Sequence, residues 1–543
     1  MEDTEFAASI EAQMQWRKEA RKLITFRTAL HPNHQKARFP GFSQSINHYT
    51  AGTQIQKGAL PLPVDLVMHE SVPTTLSDGT TIYSDIFFPG GFDSLENSEC
   101  AERVPAIVAW SPYGKQVGTT ILDDFPMRAG VPLHWLSGLQ KWEGPDPAFW
   151  CQHGYAVVNV DTRGAYTSEG DLLIMGYQEV QDGAEFITWL SKQPWCNGKV
   201  GLTGNSWLAL AQWKIGSLRP EGLAALAPWE GLEDCYRDGL CMGGIPFPAF
   251  NKSIADTFAS RGKLEDMAAA LEKFPLWNSY WEDKKGHPER INVPTYVVAS
   301  WTNPIHTPGT LRAYSKIPES VPKWLRVHNS MEWPDYYEDH SQRDLKRFFD
   351  YTLKGDHENG WASTPKVRLS ILHFGLSDLG DTVNRPETEW PLQRTKYKTL
   401  YLVGDGRLSQ RLEGSEGPVC YDSGNGRAEF RWTLPEEVET TGHFLVRLVM
   451  SCPSHNDMDI FVQVHCIKAG TDQASGVLTI KPKSPVILML LKFMHDWQIG
   501  MQKTGMIFHW GPGRQLRASH SMDKHGSSYL ELSPYAGATK AYM

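Results

Sequence analysis

Through the first two thirds of the chain, apolar runs of strand length alternate with apolar positions at helical spacing. Val104 to Trp110, Gly154 to Asp161 and Val293 to Ser300 read as strands buried on both faces, with Trp324 to Val327 as a further one. Between Glu179 and Leu190 the residues Val180, Ala184, Ile187 and Leu190 recur at helical spacing, which predicts a crossover helix leading into the apolar run Lys199 to Thr203. This alternation predicts an α/β fold with a mostly parallel sheet covered on both faces. From about 235 to 290 the rhythm breaks. Helix formers and the bulky residues Ile254, Phe258, Met267, Leu271, Phe274, Trp277 and Trp281 predict a helical cap inserted over the sheet. From about Lys366 the chain turns to short alternating runs separated by Gly, Pro and Asp. Lys366 to Leu372, Thr399 to Val403 and His443 to Val449 fit an all-β, jelly-roll-like sandwich. The expected organisation is an N-terminal extension (1–60), an α/β domain (61–355) with its cap, and a β domain (356–543), the boundary falling near Lys354-Gly355.

A chain of 543 residues can bury a large core and has room for two to four domains. The net charge of -9, with no basic block, argues against a nucleic-acid surface. The first residues carry charges of both signs without a signal-peptide core and read as a helix that packs on the surface or frays. The run Val486 to Leu491 is cut by Lys492 and is too short to span a bilayer. Eight cysteines lie scattered without metal-ligand spacing, as reduced core residues do. These features favour a soluble cytoplasmic protein that needs no cofactor or metal and contacts neither membrane nor nucleic acid.

The most informative segment is Gly204-Asn205-Ser206-Trp207-Leu208, between the apolar run ending at Thr203 and a helix-compatible stretch. A serine in a strained strand-to-helix turn projects its hydroxyl from the sheet and leaves the following backbone N–H free to hold an oxyanion. Leu208 stands where the usual pattern has a second glycine.

With these motifs placed, the chain from about Val64 to Ser519 resembles the CocE/NonD α/β hydrolases, the group of cocaine esterase and the X-prolyl dipeptidyl aminopeptidases. The resemblance rests on Leu76 to Thr80, the loop Ser111-Pro112-Tyr113-Gly114-Lys115, Asp161 to Gly164 with Ser168-Glu169-Gly170, and the serine turn. It continues in Glu332 to Tyr337, Arg347 to Asp350 with Leu353 to Gly355, Asp457 to Val462, and Gly513 to His520.

The resemblance implies an α/β-hydrolase fold with Ser206 as nucleophile and a histidine base from the loop after the last strand. His328 is the favoured base, because it ends the strand Trp324 to Val327 in the order serine, acid, histidine; a shifted alignment puts Met331 in its place. Tyr113 matches the family's oxyanion-hole tyrosine, with the Trp207 backbone N–H as second donor. The acid position is held by Asn303, in Trp301-Thr302-Asn303, where the family has an aspartate. Either another carboxylate, such as Asp335 or Glu332, orients the base, or the protein is no efficient hydrolase. His306 lies three residues on and reads as a structural loop residue within reach of the pocket. Asp161/Arg163 reads as a tie between loop and serine turn, and Asp457/Asp459 as strand residues rather than metal ligands. Trp135, Trp142, Trp150, Trp207, Trp277 and Trp281 suggest an aromatic-lined cavity. The chain stops at Met543 where relatives continue through more strands, which leaves room for a homo-oligomer through the β domain.

Three functions stay open. The first is a serine hydrolase or acyl-transfer enzyme acting on an ester, amide or thioester of a small apolar molecule. The second is a hydrolase fold turned to cyclase, lyase or isomerase chemistry, and the third a silent binding protein. No residue supports an amine-recognition site.

Overall fold

The structure, a computed structural model, describes residues 17–95, 103–374, 382–412, 418–468, 470–480, 486, 489–491, 494, 508–520 and 539–541. Its centre is a large mixed sheet. In chain order the strands are β1 (Ile46–Tyr49), β2 (Leu66–Thr75), β3 (Thr81–Pro89), β4 (Val104–Ser111), β5 (Ala156–Asp161), β6 (Cys196–Asn205), β7 (Leu223–Trp229), β8 (Thr295–Ser300), β9 (Lys323–His328), β10 (Val367–His373) and β11 (Thr382–Glu387). In space they run β1-β2-β3-β5-β4-β6-β7-β8-β9-β10, with β11 beside β10. β1, β2 and β3 join antiparallel, β3 meets β5 antiparallel, and every pair from β5 through β4 to β10 is parallel. This is the α/β-hydrolase order, and it places the C-terminal ends of β4, β6, β7, β8 and β9 on one rim.

The parallel strands are buried on both faces, which is why they read as continuous apolar runs. All eight residues of β4 are buried. Val108 and Trp110 join Phe186, Ile187 and Trp213 on one face, while Ile107 joins Trp150, Trp229 and Tyr296 on the other. Each such side chain contributes about 1.5–3 kcal/mol by leaving water. The crossover helix α1 (Tyr177–Ser191) forms where the apolar spacing placed it, and α2 (Trp207–Ser217) follows β6 directly. Next come the cap helices α3 (Pro248–Ala255), α4 (Met267–Lys273) and α5 (Ser279–Asp283), then α6 (Thr307–Lys316), α7 (Glu332–Tyr337) and α8 (Asp339–Phe349) on the sheet. The cap packs over the rim through Phe258, Tyr236 and Trp281. The N-terminal extension is stitched to the cap, since Phe26–Thr28 pairs antiparallel with Lys263–Glu265.

Gly355, at φ 74°, ends the helical run, and Val367–His373 pairs parallel with β9 and so extends the central sheet. All seven of its residues are buried, so parallel pairing with β9 satisfies it better than a half-exposed sandwich position would. Beyond it, the described regular structure is nearly all strand, in short antiparallel pairs such as Asp459–Gln463 with Gly513–Arg517 and Val477–Leu478 with Phe508–His509. The alternating stretch His443 to Val449 forms no extended ladder. Asp457 accepts from Ser519 and Asp459 pairs with Arg517, which accounts for both carboxylates without a metal. Much of the expected closing tail, 521–538, lies outside the described residues.

Candidate active site

Ser206 stands between β6 and α2 at φ 55°, ψ -113°, a conformation that costs a non-glycine residue about 1–3 kcal/mol. Gly204 makes the turn feasible. It lies at φ 133°, and a Cβ there would come within 2.4 Å of the Leu208 side chain and 2.8 Å of the Glu143 carbonyl oxygen. Two carbonyls hold the turn from outside: Asn205 N–H donates to Glu143 O at 3.1 Å and Ser206 N–H to Glu230 O at 2.7 Å.

The imidazole that meets Ser206 is that of His306, at the start of α6 in the loop after β8, with Nε2 3.3 Å from Oγ. Its Nδ1 lies 2.7 Å from Glu332 Oε2, at the start of α7 beyond β9. A carboxylate only accepts, so Nδ1 carries the hydrogen and Nε2 offers its lone pair to the serine hydroxyl. Serine, histidine and carboxylate therefore stand in one line, and all three are reached from the same rim.

His328 is not the partner of Ser206. It closes β9 2% exposed, with Nε2 2.5 Å from Glu230 Oε1 and 3.5 Å from Asp335 Oδ2. As the last residue of an interior strand it is fixed in the packed sheet, whereas His306 extends from the loop beyond the adjacent strand. Met331 is the residue before α7, and Asp335 is taken by Arg326. Nor does Asn303 hold the acid position. Its Oδ1 accepts from the N–H groups of Ile305 and His306 at 3.1 Å each, fixing the amide so that Nδ2 donates to Glu332 Oε2 at 2.9 Å and Glu230 Oε2 at 3.0 Å. Asn303 thus holds two carboxylates and the entry of His306 into α6. The residue that sequence reasoning read as structural, His306, is the central imidazole, and Glu332, one of two carboxylates considered, is its partner.

Tyr113 lies in the loop after β4 as expected, buried, with its hydroxyl interacting with Ser206 and Glu143. Its ring meets Trp207 and Phe258 at centroid distances of 6.1 and 6.0 Å. Burial pushes its phenol pKa well up, so the hydroxyl keeps its proton. Trp207, as the first residue of α2, has a backbone N–H without an intrahelical partner. Of the other tryptophans, Trp142, Trp277 and Trp281 share an apolar cluster with Tyr113 and Trp207, whereas Trp135 and Trp150 pack in a separate core cluster. Trp150 packs on Tyr155 and Phe349, Trp281 on Tyr280 and Tyr236, and Trp277 lies under Arg237. Arg163 pairs with Asp182 and Asp78 and so ties its loop to α1, not to the serine turn.

Two residues escaped the sequence reading altogether, Glu143 and Glu230. Both are buried, and both adopt positive φ, 63° and 57°. Their carbonyls hold consecutive N–H groups of the serine turn while their side chains enter the polar cluster around it. Burial and the nearby Glu332 charge raise the pKa of each, with Asp335 adding to the effect on Glu230. A signal was present: the tripeptide Trp-Glu-Gly occurs at 142–144 and again at 229–231. Glu230, His306 and Glu332 each bring a possible ligand atom within 4.8 Å of the others. The Asn303 amide nitrogen, 2.9–3.0 Å from all three, already fills the space between them.

Comparison with known proteins agrees with this architecture. Residues 78–331 match the model of the X-Pro dipeptidyl-peptidase (S15) family, and residues 359–493 that of the X-Pro dipeptidyl-peptidase C-terminal non-catalytic domain. The chain is 24% identical to a cocaine esterase of Rhodococcus sp. (strain MB1 Bresler) over 419 residues, 65% of this chain and 66% of that protein, just under two thirds of its length. A relative from Mycobacterium bovis is 30% identical over 213 residues, which is 38% of this chain and 31% of its own. Among solved structures, a CocE/NonD family hydrolase from Staphylococcus aureus superposes with TM-score 0.73 at 25% identity, covering 94% of this chain and 89% of that one.

Proposed function

Since the chain belongs to the CocE/NonD-type, X-prolyl dipeptidyl-peptidase-like family of α/β hydrolases, we propose that it is a serine hydrolase or acyl-transfer enzyme acting on an ester, amide or thioester of a small apolar molecule. The supporting observation is the line from Ser206 Oγ through His306 to Glu332, at 3.3 and 2.7 Å. His306 Nε2 takes the hydroxyl proton as Oγ attacks the carbonyl carbon, and Glu332 stabilises the imidazolium that forms. The Tyr113 hydroxyl and the Trp207 N–H donate to the oxyanion. His306 then gives its proton to the leaving group, and water or another acceptor removes the acyl group by the reverse sequence. The longer serine–histidine distance suits a resting site that tightens around substrate. The aromatic surroundings of Tyr113 support an apolar acyl or leaving group.

The test is labelling with a fluorophosphonate probe together with hydrolysis of p-nitrophenyl acetate. Ser206→Ala is expected to abolish labelling and His306→Ala to slow both reactions by at least about a thousandfold, with Glu332→Gln losing about a thousandfold to ten-thousandfold in kcat. His328→Ala should keep labelling and lower Tm. Labelling lost in His328→Ala and kept in His306→Ala would overturn the assignment.

A further inference from the structure

Glu143 has no part in the steps above, yet it is placed as carefully as any residue that does. It sits 4% exposed at φ 63°, and its carbonyl holds the N–H next to Ser206. Its Oε1 accepts from Trp333 Nε1 at 3.1 Å, while Oε2 is buried and takes no hydrogen bond. The carboxyl and Ser206 both lie within hydrogen-bonding reach of the Tyr113 hydroxyl. A phenol has one proton to donate. If the carboxyl is ionised, that proton goes to Glu143; if the carboxyl is neutral, it donates to the phenolic oxygen and the phenol's proton is free for another acceptor.

We propose that Glu143 is a positioning residue of the oxyanion site, and that its protonation state decides whether Tyr113 can donate to the oxyanion. This rests on the reading of Tyr113 as an oxyanion donor. As a carboxylic acid, Glu143 donates through its otherwise unpartnered oxygen to the Tyr113 oxygen and aims the phenol proton toward Ser206. As a carboxylate it captures that proton, and the oxyanion keeps only the Trp207 N–H.

Of the groups that face Glu143, the Glu332 charge adds to burial in favouring the neutral acid, whereas the hydrogen bonds from Trp333 and Tyr113 favour the carboxylate and are outweighed. Glu332 and Trp333 come from α7, Tyr337 from the same helix with its hydroxyl on Gly144 O, and Tyr113 from the loop after β4. The nearest cation in sequence, Lys141, turns away and donates to the carbonyls of Ser111 and Val160. Asp146 is occupied by Ser137 and Ala148. With the carboxyl pKa raised by burial and by Glu332, the acid form persists beyond the usual carboxylate range. Activity is therefore present while Glu143 is protonated and declines as pH rises through its folded pKa.

Two readouts test this. The first is p-nitrophenyl acetate turnover from about pH 5 to about pH 10, compared in wild type, Glu143→Gln and Glu143→Leu. Glutamine keeps a donor for the phenolic oxygen but cannot ionise. It is expected to retain at least about tenfold more activity than leucine and to flatten the alkaline decline. The second is the fluorine NMR line of Tyr113 in protein carrying 3-fluorotyrosine, assigned by its loss in Tyr113→Phe. That line should show a pH inflection in wild type that is absent in Glu143→Gln, whether or not the ester is turned over. An inflection that persists unchanged in Glu143→Gln, or full activity with an unchanged pH profile in Glu143→Leu, would overturn the proposal. Failure of the hydrolase reading itself would show separately, as absent turnover and absent labelling of Ser206 in wild type.

Discussion

Asn303 concentrates what a single residue does here. Read along the chain it occupies the place of an acid; in the fold it is the donor that lets two buried carboxylates, Glu230 and Glu332, lie close together. Asn303→Asp would remove both donated hydrogen bonds and set a third carboxylate against them, raising the charge that burial already opposes. The expected result is a fall of at least about tenfold in p-nitrophenyl acetate hydrolysis and a lower Tm. A rise in rate would mean that the position still serves as the acid. His306 carries the complementary lesson. Its function comes from two partners distant in sequence, Ser206 and Glu332, and nothing in Pro304-Ile305-His306 distinguishes it from a loop histidine.

The elements of the fold explain how the base and its carboxylate could change places. In the order serine, acid, histidine, the acid belongs to the loop after β8 and the base to the loop after β9. Here His306 follows β8 and Glu332 follows β9. Because β8 and β9 are in-register parallel neighbours, their C-terminal loops open onto the same point on the rim, and either can supply either group. The serine turn has no such freedom. Gly204→Ala would force a Cβ to within 2.8 Å of the Glu143 carbonyl oxygen at a φ of 133°. It should destabilise the protein by at least about 2 kcal/mol and slow fluorophosphonate labelling, as read by thermal denaturation and probe kinetics. Unchanged Tm and labelling would show that the turn is less constrained than its geometry.

At the scale of the whole molecule, the cap also touches the C-terminal region. Arg517 N–H donates to Gly243 O at 2.7 Å, and a Cβ on Gly243 would fall 1.9 Å from the Gln515 carbonyl oxygen. Gly243→Ala should therefore part the strand Gly513–Arg517 from the cap. Limited proteolysis is expected to cut the C-terminal region faster in this variant, with fluorophosphonate labelling of Ser206 staying within about twofold of wild type. Cleavage at the wild-type rate would show that this close approach does not hold the two parts together.

By itself the sequence determined whatever depends on local pattern. Continuous apolar runs mark strands buried on both faces, helical spacing marks α1, and Gly204-Asn205-Ser206 marks a turn that needs glycine beside the serine. Tyr113 was legible for the same reason, since it follows a buried strand in a recognisable loop. Only the tertiary structure decided which imidazole meets Ser206, because His306 and His328 end neighbouring loop and strand and differ in direction rather than in local sequence. It likewise decided that Val367–His373 joins the central sheet beside β9, since an apolar run states that it is buried but not against which neighbour. The roles of Glu143 and Glu230 depend on strained backbone and on a cluster gathered from separate loops, and a repeated Trp-Glu-Gly acquires meaning only when both copies are found against the same serine. Local patterns set which segments become strands, helices and turns, whereas the pairing of charged and polar groups depends on distances that only the folded chain creates.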